Sequence, residues 1–274
     1  GSTFVFGSTS ALNGINGRLL EEKASGRAGP CFNLGIPGNS FSFQGYAGEV
    51  AKLRPSNVVF VIEYRHLAGL FDPASLSVVR SFKPSPSAET DPETALFELG
   101  FWNRKGFLER WAYKSRLIDA LVGIDESRGY GRIADDFKTP VFVLGNGGLA
   151  LEGTVDPKDA VRLFDLASPG PAAECGDYLR ILNASRVVRD RSPETRIWIL
   201  LYPQQPLALK ALDLPPAFLK TDALQAAGDP HGVRIVNFLA LLPGNPCWAD
   251  RVHASAEGID RITEALAAEM RSAR

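Results

Sequence analysis

The sequence predicts a single three-layer α/β domain built on a doubly wound parallel sheet of about five strands. Three observations lead there: short apolar runs alternate with helical patterns along most of the chain, two of those runs are apolar almost without interruption, and several end in glycine, proline or small polar residues. Strands that are hydrophobic on both faces belong inside a parallel sheet covered by helices.

Residues 3–6 form the first apolar run, and it stops at Gly7; residues 15–23 follow with aliphatics and charges at helical spacing. The unit is strand, tight turn, helix. Residues 31–36 repeat the scheme and close at Pro37-Gly38-Asn39-Ser40, after which 41–53 reads as an amphipathic helix with Ser40 as N-cap. Residues 57–64, NVVFVIEY, are the clearest buried strand. From about 72 to 175 the pattern blurs into an expected insertion or cap, with loop at 84–92, helix at 107–124, and a strand at 141–144 that runs into Gly145-Asn146-Gly147-Gly148. Regularity returns with a helix at 178–189, the strand 195–202 (TRIWILLY) stopped by Pro203 and Pro206, a helix at 217–227, a fifth strand at 233–239 and a closing helix at 256–274.

Composition narrows the function. The chain has 274 residues, 45% of them hydrophobic, enough for one large core. Thirty Lys and Arg against 31 Asp and Glu give a net charge of −1, with no field to gather nucleic acid, so no nucleic-acid partner is expected. Cys31, Cys175 and Cys247 allow one disulfide at most, and the sequence leaves open whether Cys175 pairs with Cys247. No run approaches a membrane span, and neither a metal site nor a cofactor is expected, because the acidic residues lack ligand spacing with His or Cys. The opening Gly-Ser pair sits almost against the first strand, which fits a chain trimmed of a signal or anchor.

In an open parallel sheet, ligands bind beyond the carboxyl ends of the strands. Those ends carry Gly7-Ser8-Thr9-Ser10, Pro37-Gly38-Asn39, Glu63-Tyr64-Arg65-His66, Pro203-Gln204-Gln205 and the loop to His253. The run from Phe6 to Asn16, FGSTSALNGIN, resembles the first block of the SGNH (GDSL-like) hydrolases in the variant form G-S-S-x-x-x-x-G-I-D. That variant is common in envelope-glycan relatives, such as the proteins of teichoic-acid D-alanylation and exopolysaccharide O-acetylation. Asn33-Leu34-Gly35-Ile36-Pro37-Gly38 looks like the second block, and Asp250-Arg251-Val252-His253 is similar to the terminal D-x-x-H block.

The resemblance implies a flavodoxin-like SGNH fold and an ester hydrolase or O-acyltransferase working through an acyl-enzyme. Thr9 falls at the nucleophilic serine position, with Ser8 and Ser10 as fallback nucleophiles. His253 is the expected base and Asp250 its orienting partner. Amides near Thr9 and at Gly38 would bind the oxyanion, and Arg65, where the family's asparagine falls, would donate in its place or bind an anionic substrate. An acylated carbohydrate or glycan is the implied substrate, a membrane-bound acyltransferase the implied partner, and a periplasmic or membrane-anchored, extracytoplasmic place the implied location. Two other readings fit the same residues: a catalytically inactive SGNH-like domain that binds glycan or such a partner, and a nucleotide- or phosphate-binding flavodoxin-like domain. Taken alone, a Gly-Ser-Thr-Ser turn can be only a helix cap.

Overall fold

A computed structural model describes residues 1–12, 14–33, 47–63, 83, 130–133, 141–144, 149–151, 171–206, 225–226, 228–248 and 253–273. The principal sheet contains β1 (Thr3–Gly7), β2 (Cys31–Asn33), β3 (Asn57–Ile62), β7 (Arg196–Leu201) and β8 (Val233–Asn237). Its five strands lie in the order β2-β1-β3-β7-β8, and every pairing is parallel. Numbered within that sheet alone, the order is 2-1-3-4-5. The chain therefore winds outward from β1 to β2, then crosses back to β3, and the carboxyl ends of β1 and β3 flank the point where the direction reverses.

Side-chain alternation divides the core in two. Phe4, Phe6, Val58, Phe60, Ile197, Ile199 and Ile235 project to one face, where they meet α3 (Ala47–Lys52) and α4 (Pro171–Arg191). Val5, Val59, Val61, Trp198, Leu200 and Val236 project to the other, against α2 (Gly17–Lys23) and α5 (Ala256–Ser272). Both sheet faces are thus covered, which is why the strands are apolar almost throughout. Helix α5 turns Ile259, Ile262, Leu266 and Met270 into the core, and Ser255 caps it by accepting a hydrogen bond from the Gly258 amide (3.3 Å).

Several boundaries differ from the sequence reading, each for a local reason. A four-residue helix, α1 (Thr9–Leu12), fills what reads as a simple turn after β1. The next helix starts at Gly17 because Asn16 caps it, accepting from the Leu19 amide at 3.1 Å. Helix α4 begins at Pro171, a residue suited to a first helical turn, ahead of the expected start at 178. Strands β3 and β7 end at Ile62 and Leu201, and the described part of β2 ends at Asn33.

The middle of the chain contains more strand than expected. Besides β5 (Val141–Leu144), which the sequence predicts, β4 (Tyr130–Ile133) and β6 (Leu149–Leu151) complete a three-stranded antiparallel sheet of order β4-β5-β6. The expected helix at 107–124 and turn at 145–148 lie outside the described residues, as does the expected helix at 217–227 apart from helical Gln225 and Ala226. Cys31 and Cys247 are buried free thiols, so Cys247 takes part in no disulfide. Among the described residues, no helix is long and apolar enough to cross a membrane.

Candidate functional site at the carboxyl end of the sheet

Gly7 ends β1 with a φ of +150°, and a Cβ there would lie 2.4 Å from the Val61 carbonyl oxygen, so this position favours glycine. The chain turns directly into α1. Ser8 stands before that helix, with its carbonyl accepting from the Ala11 amide (3.1 Å) and its Oγ from the Ser10 amide (3.4 Å). The hydroxyl hydrogens of both serines point to one acceptor across the sheet. Ser8 Oγ donates to Glu63 Oε1 at 2.6 Å, and Ser10 Oγ donates to the same oxygen at 2.7 Å. Both serines are 2% exposed, whereas Glu63, the first residue beyond β3, is half-buried. The three side chains bridge the two strands that flank the switch point.

Neighbouring strand ends fasten the same segment. Asn33, the last residue of β2, donates its amide to the carbonyls of Ala11 (2.8 Å) and Ile15 (3.0 Å). Tyr202, the first residue after β7, lies against Gly14, where a Cβ would come 2.5 Å from the tyrosine ring and 2.1 Å from the Ser10 carbonyl oxygen. The Tyr202 hydroxyl oxygen also accepts from the Ala254 amide at 3.1 Å. One ring therefore joins the serine turn to the segment that carries His253. That segment is braced further by a bridge between Trp248 and Ala254, by the Ser255 amide on the Cys247 carbonyl (2.9 Å), and by Ser255 Oγ on the Pro246 carbonyl (2.6 Å). His253 itself is half-buried.

Comparison with protein-family models and with curated proteins gives no match. The chemistry of the site therefore stands on its own geometry. Of the residues singled out by the sequence, Ser8, Ser10 and His253 occupy the carboxyl end of the sheet, and the Thr9 backbone opens α1 between the two serines. Asp250, Gly38, Arg65 and the Thr9 side chain lie outside the described residues.

The sequence reading assigns no role to three site residues: Glu63, Asn33 and Tyr202. Glu63 left a signal, an acidic residue ending the apolar run NVVFVI. Asn33 opens the 33–38 block, whose expected role lies at Gly38, and Tyr202 reads only as the last residue of its strand.

The arrangement offers hydroxyls, a carboxylate and an imidazole segment at the head of a parallel sheet. An ionised carboxylate is acceptor-only, and hydroxyl-to-carboxylate bonds of about 2.5 to 2.7 Å are charge-assisted. Among the described residues, no group of three or more His, Cys, Asp or Glu is placed to hold a metal ion.

Proposed function

We propose that this protein hydrolyses or transfers ester-linked acyl groups of a carbohydrate or cell-envelope glycan, using a hydroxyl of the 8–10 turn and His253. The observation that carries the reading is the convergence of Ser8, Ser10 and Glu63 at the switch point, with the His253 segment joined to the same turn through Tyr202. The order of the sheet supports it, since ligands of doubly wound sheets bind where the winding reverses. The glycan substrate, an extracytoplasmic location and a membrane-bound acyltransferase partner come from the resemblance of residues 6–16, 33–38 and 250–253 to the SGNH hydrolases.

In this reaction the Thr9 hydroxyl oxygen attacks the ester carbonyl carbon while His253 takes its proton. The tetrahedral oxyanion then collapses, the bond from carbonyl carbon to sugar oxygen breaks, and the imidazolium returns the proton to that oxygen. Water completes hydrolysis by the same sequence, and an acceptor hydroxyl completes transfer. Backbone amides around Thr9 and Gly38 are the donors assigned to the oxyanion, each worth about 3 to 4 kcal/mol of transition-state stabilisation.

A second reading has its own support. Both serine hydroxyls are buried and engaged by Glu63, as a purely structural turn in a glycan- or partner-binding domain would have them. Hydrolysis of p-nitrophenyl acetate by the parent and by Thr9→Ala, Thr9→Ser, Ser8→Ala, Ser10→Ala and His253→Ala proteins separates the two. Acyl transfer requires loss of activity with Thr9→Ala and His253→Ala and its retention with Thr9→Ser; loss at Ser8 or Ser10 alone moves the nucleophile. A parent and a Thr9→Ser protein that are both inert rule out simple esterase activity and leave a binding domain or a transferase that needs its own donor.

A further inference from the structure

We infer that Glu63 is the positioning residue of the hydroxyl-bearing turn, fixing the backbone of residues 8–11 from across the switch point; the inference rests on the acyl-transfer reading of that turn. Its carboxylate oxygen takes the hydroxyl hydrogens of Ser8 (2.6 Å) and Ser10 (2.7 Å) together, which sets the direction of both hydroxyl dipoles. With its hydrogen directed to Glu63, Ser8 Oγ turns a lone pair towards the Ser10 amide at 3.4 Å, while the Ser8 carbonyl holds the Ala11 amide at 3.1 Å. Ser8 and Ser10 are thereby tied directly to one carboxylate, and the Ser10 and Ala11 amides are held through Ser8. Thr9, at the head of α1, is the residue held between the two fixed hydroxyls.

A charge is not needed simply to hold such a turn. On the β2 side the neutral amide of Asn33 secures the Ala11 and Ile15 carbonyls at 2.8 and 3.0 Å. A half-buried carboxylate carries a desolvation cost that an amide avoids. Glu63 is also the residue at which β3 stops being apolar and buried, one position beyond Ile62. A carboxylate in this place supplies a stiffer, charge-assisted clamp on the side of the turn that faces the switch point.

The test compares Glu63→Ala with Glu63→Gln, in which the amide oxygen can still accept both hydroxyls. Two quantities are read: kcat and KM for p-nitrophenyl acetate, and hydrogen exchange of the backbone amides of residues 9–12. In Glu63→Ala, kcat is expected to fall about 100-fold, the scale of a 1 Å misplacement. KM should stay within about twofold, as expected when only transition-state alignment is lost. The 9–12 amides should exchange faster, and Glu63→Gln should recover their protection and part of the rate. The inference is overturned if Glu63→Ala keeps parental kcat and parental exchange, or if its kcat falls only in proportion to its folded fraction, since loss of folded enzyme lowers apparent kcat and leaves KM unchanged. Should Glu63→Ala fail to fold, Glu63→Gln at parental kcat with an unprotected turn overturns it equally. An inert parent removes the simple esterase reading, while exchange that rises in Glu63→Ala and returns in Glu63→Gln upholds the positioning of the turn.

Discussion

The two ends of the parallel sheet solve the same problem with different chemistry. At the amino end, Asn57 donates to Thr3 Oγ1 (3.1 Å) and the Arg27 carbonyl (2.8 Å), and accepts from Trp198 Nε1 (3.0 Å). Thr195 Oγ1 closes the neighbouring gap on the Pro55 carbonyl at 2.7 Å. All of these groups are neutral, but at the start of β2 a carboxylate also serves: Glu21 Oε1 accepts from the Cys31 amide at 2.6 Å, and the Cys31 thiol is kept protonated by burial and, less strongly, by Glu21. At the carboxyl end the corresponding ties run through Glu63, Tyr202 and the His253 segment. At the amino end the Glu21 carboxylate holds a backbone amide at the start of β2, whereas at the carboxyl end a carboxylate takes two serine hydroxyls at the switch point, and that difference calls for a functional explanation.

That contrast can be broken first at the amino end. Asn57→Leu leaves the Trp198 indole N–H and the Arg27 carbonyl without their partner, so unfolding in urea should show a loss of about 3 kcal/mol. Esterase activity per folded molecule should not change; a fall in activity larger than the fall in folded fraction would erase the distinction between the two ends. Cys31 sharpens it through pH. Its pKa is raised in the fold, so the unfolded chain loses this proton first as pH climbs above the ordinary thiol value of about 8.5. Stability should therefore decline on the alkaline side, by about 2 kcal/mol at pH 10, and Cys31→Ala should flatten the decline measured by chemical denaturation.

At the carboxyl end, Tyr202→Phe removes the acceptor of the buried Ala254 amide, for an expected loss of about 1.5 kcal/mol. Here the activity should fall further than the folded fraction, which measuring both on one preparation will show. The smallest effect is expected away from both ends. Glu257→Gln breaks the exposed 2.7 Å pair with Arg261 on α5 and should cost no more than about 0.5 kcal/mol, with activity unaltered.

The fold was legible where burial dictated residue type. NVVFVI and RIWILL are apolar because they face helices on both sides, and α5 shows its inward stripe directly in the sequence. Strands β4 and β6 were not legible, since YGRI and LAL are too short to display a period. Of the site, Ser8 and Ser10 could be found because they follow an apolar run and a glycine, and His253 because it precedes a capped helix. Glu63 could not be tied to them from sequence, because the two hydrogen bonds span 55 and 53 residues of chain and exist only once β1 lies beside β3. Tyr202 was hidden in the same way, its hydroxyl meeting Ala254 across 52 residues.

The most direct test of the carboxyl-end site is to treat the folded protein with a fluorophosphonate and locate the adduct by peptide mass spectrometry. One stoichiometric adduct on a hydroxyl of residues 8–10, formed with loss of fluoride and abolished by His253→Ala, is the expected result. An adduct elsewhere in the chain, or one on this turn that forms equally fast without His253, contradicts the assignment.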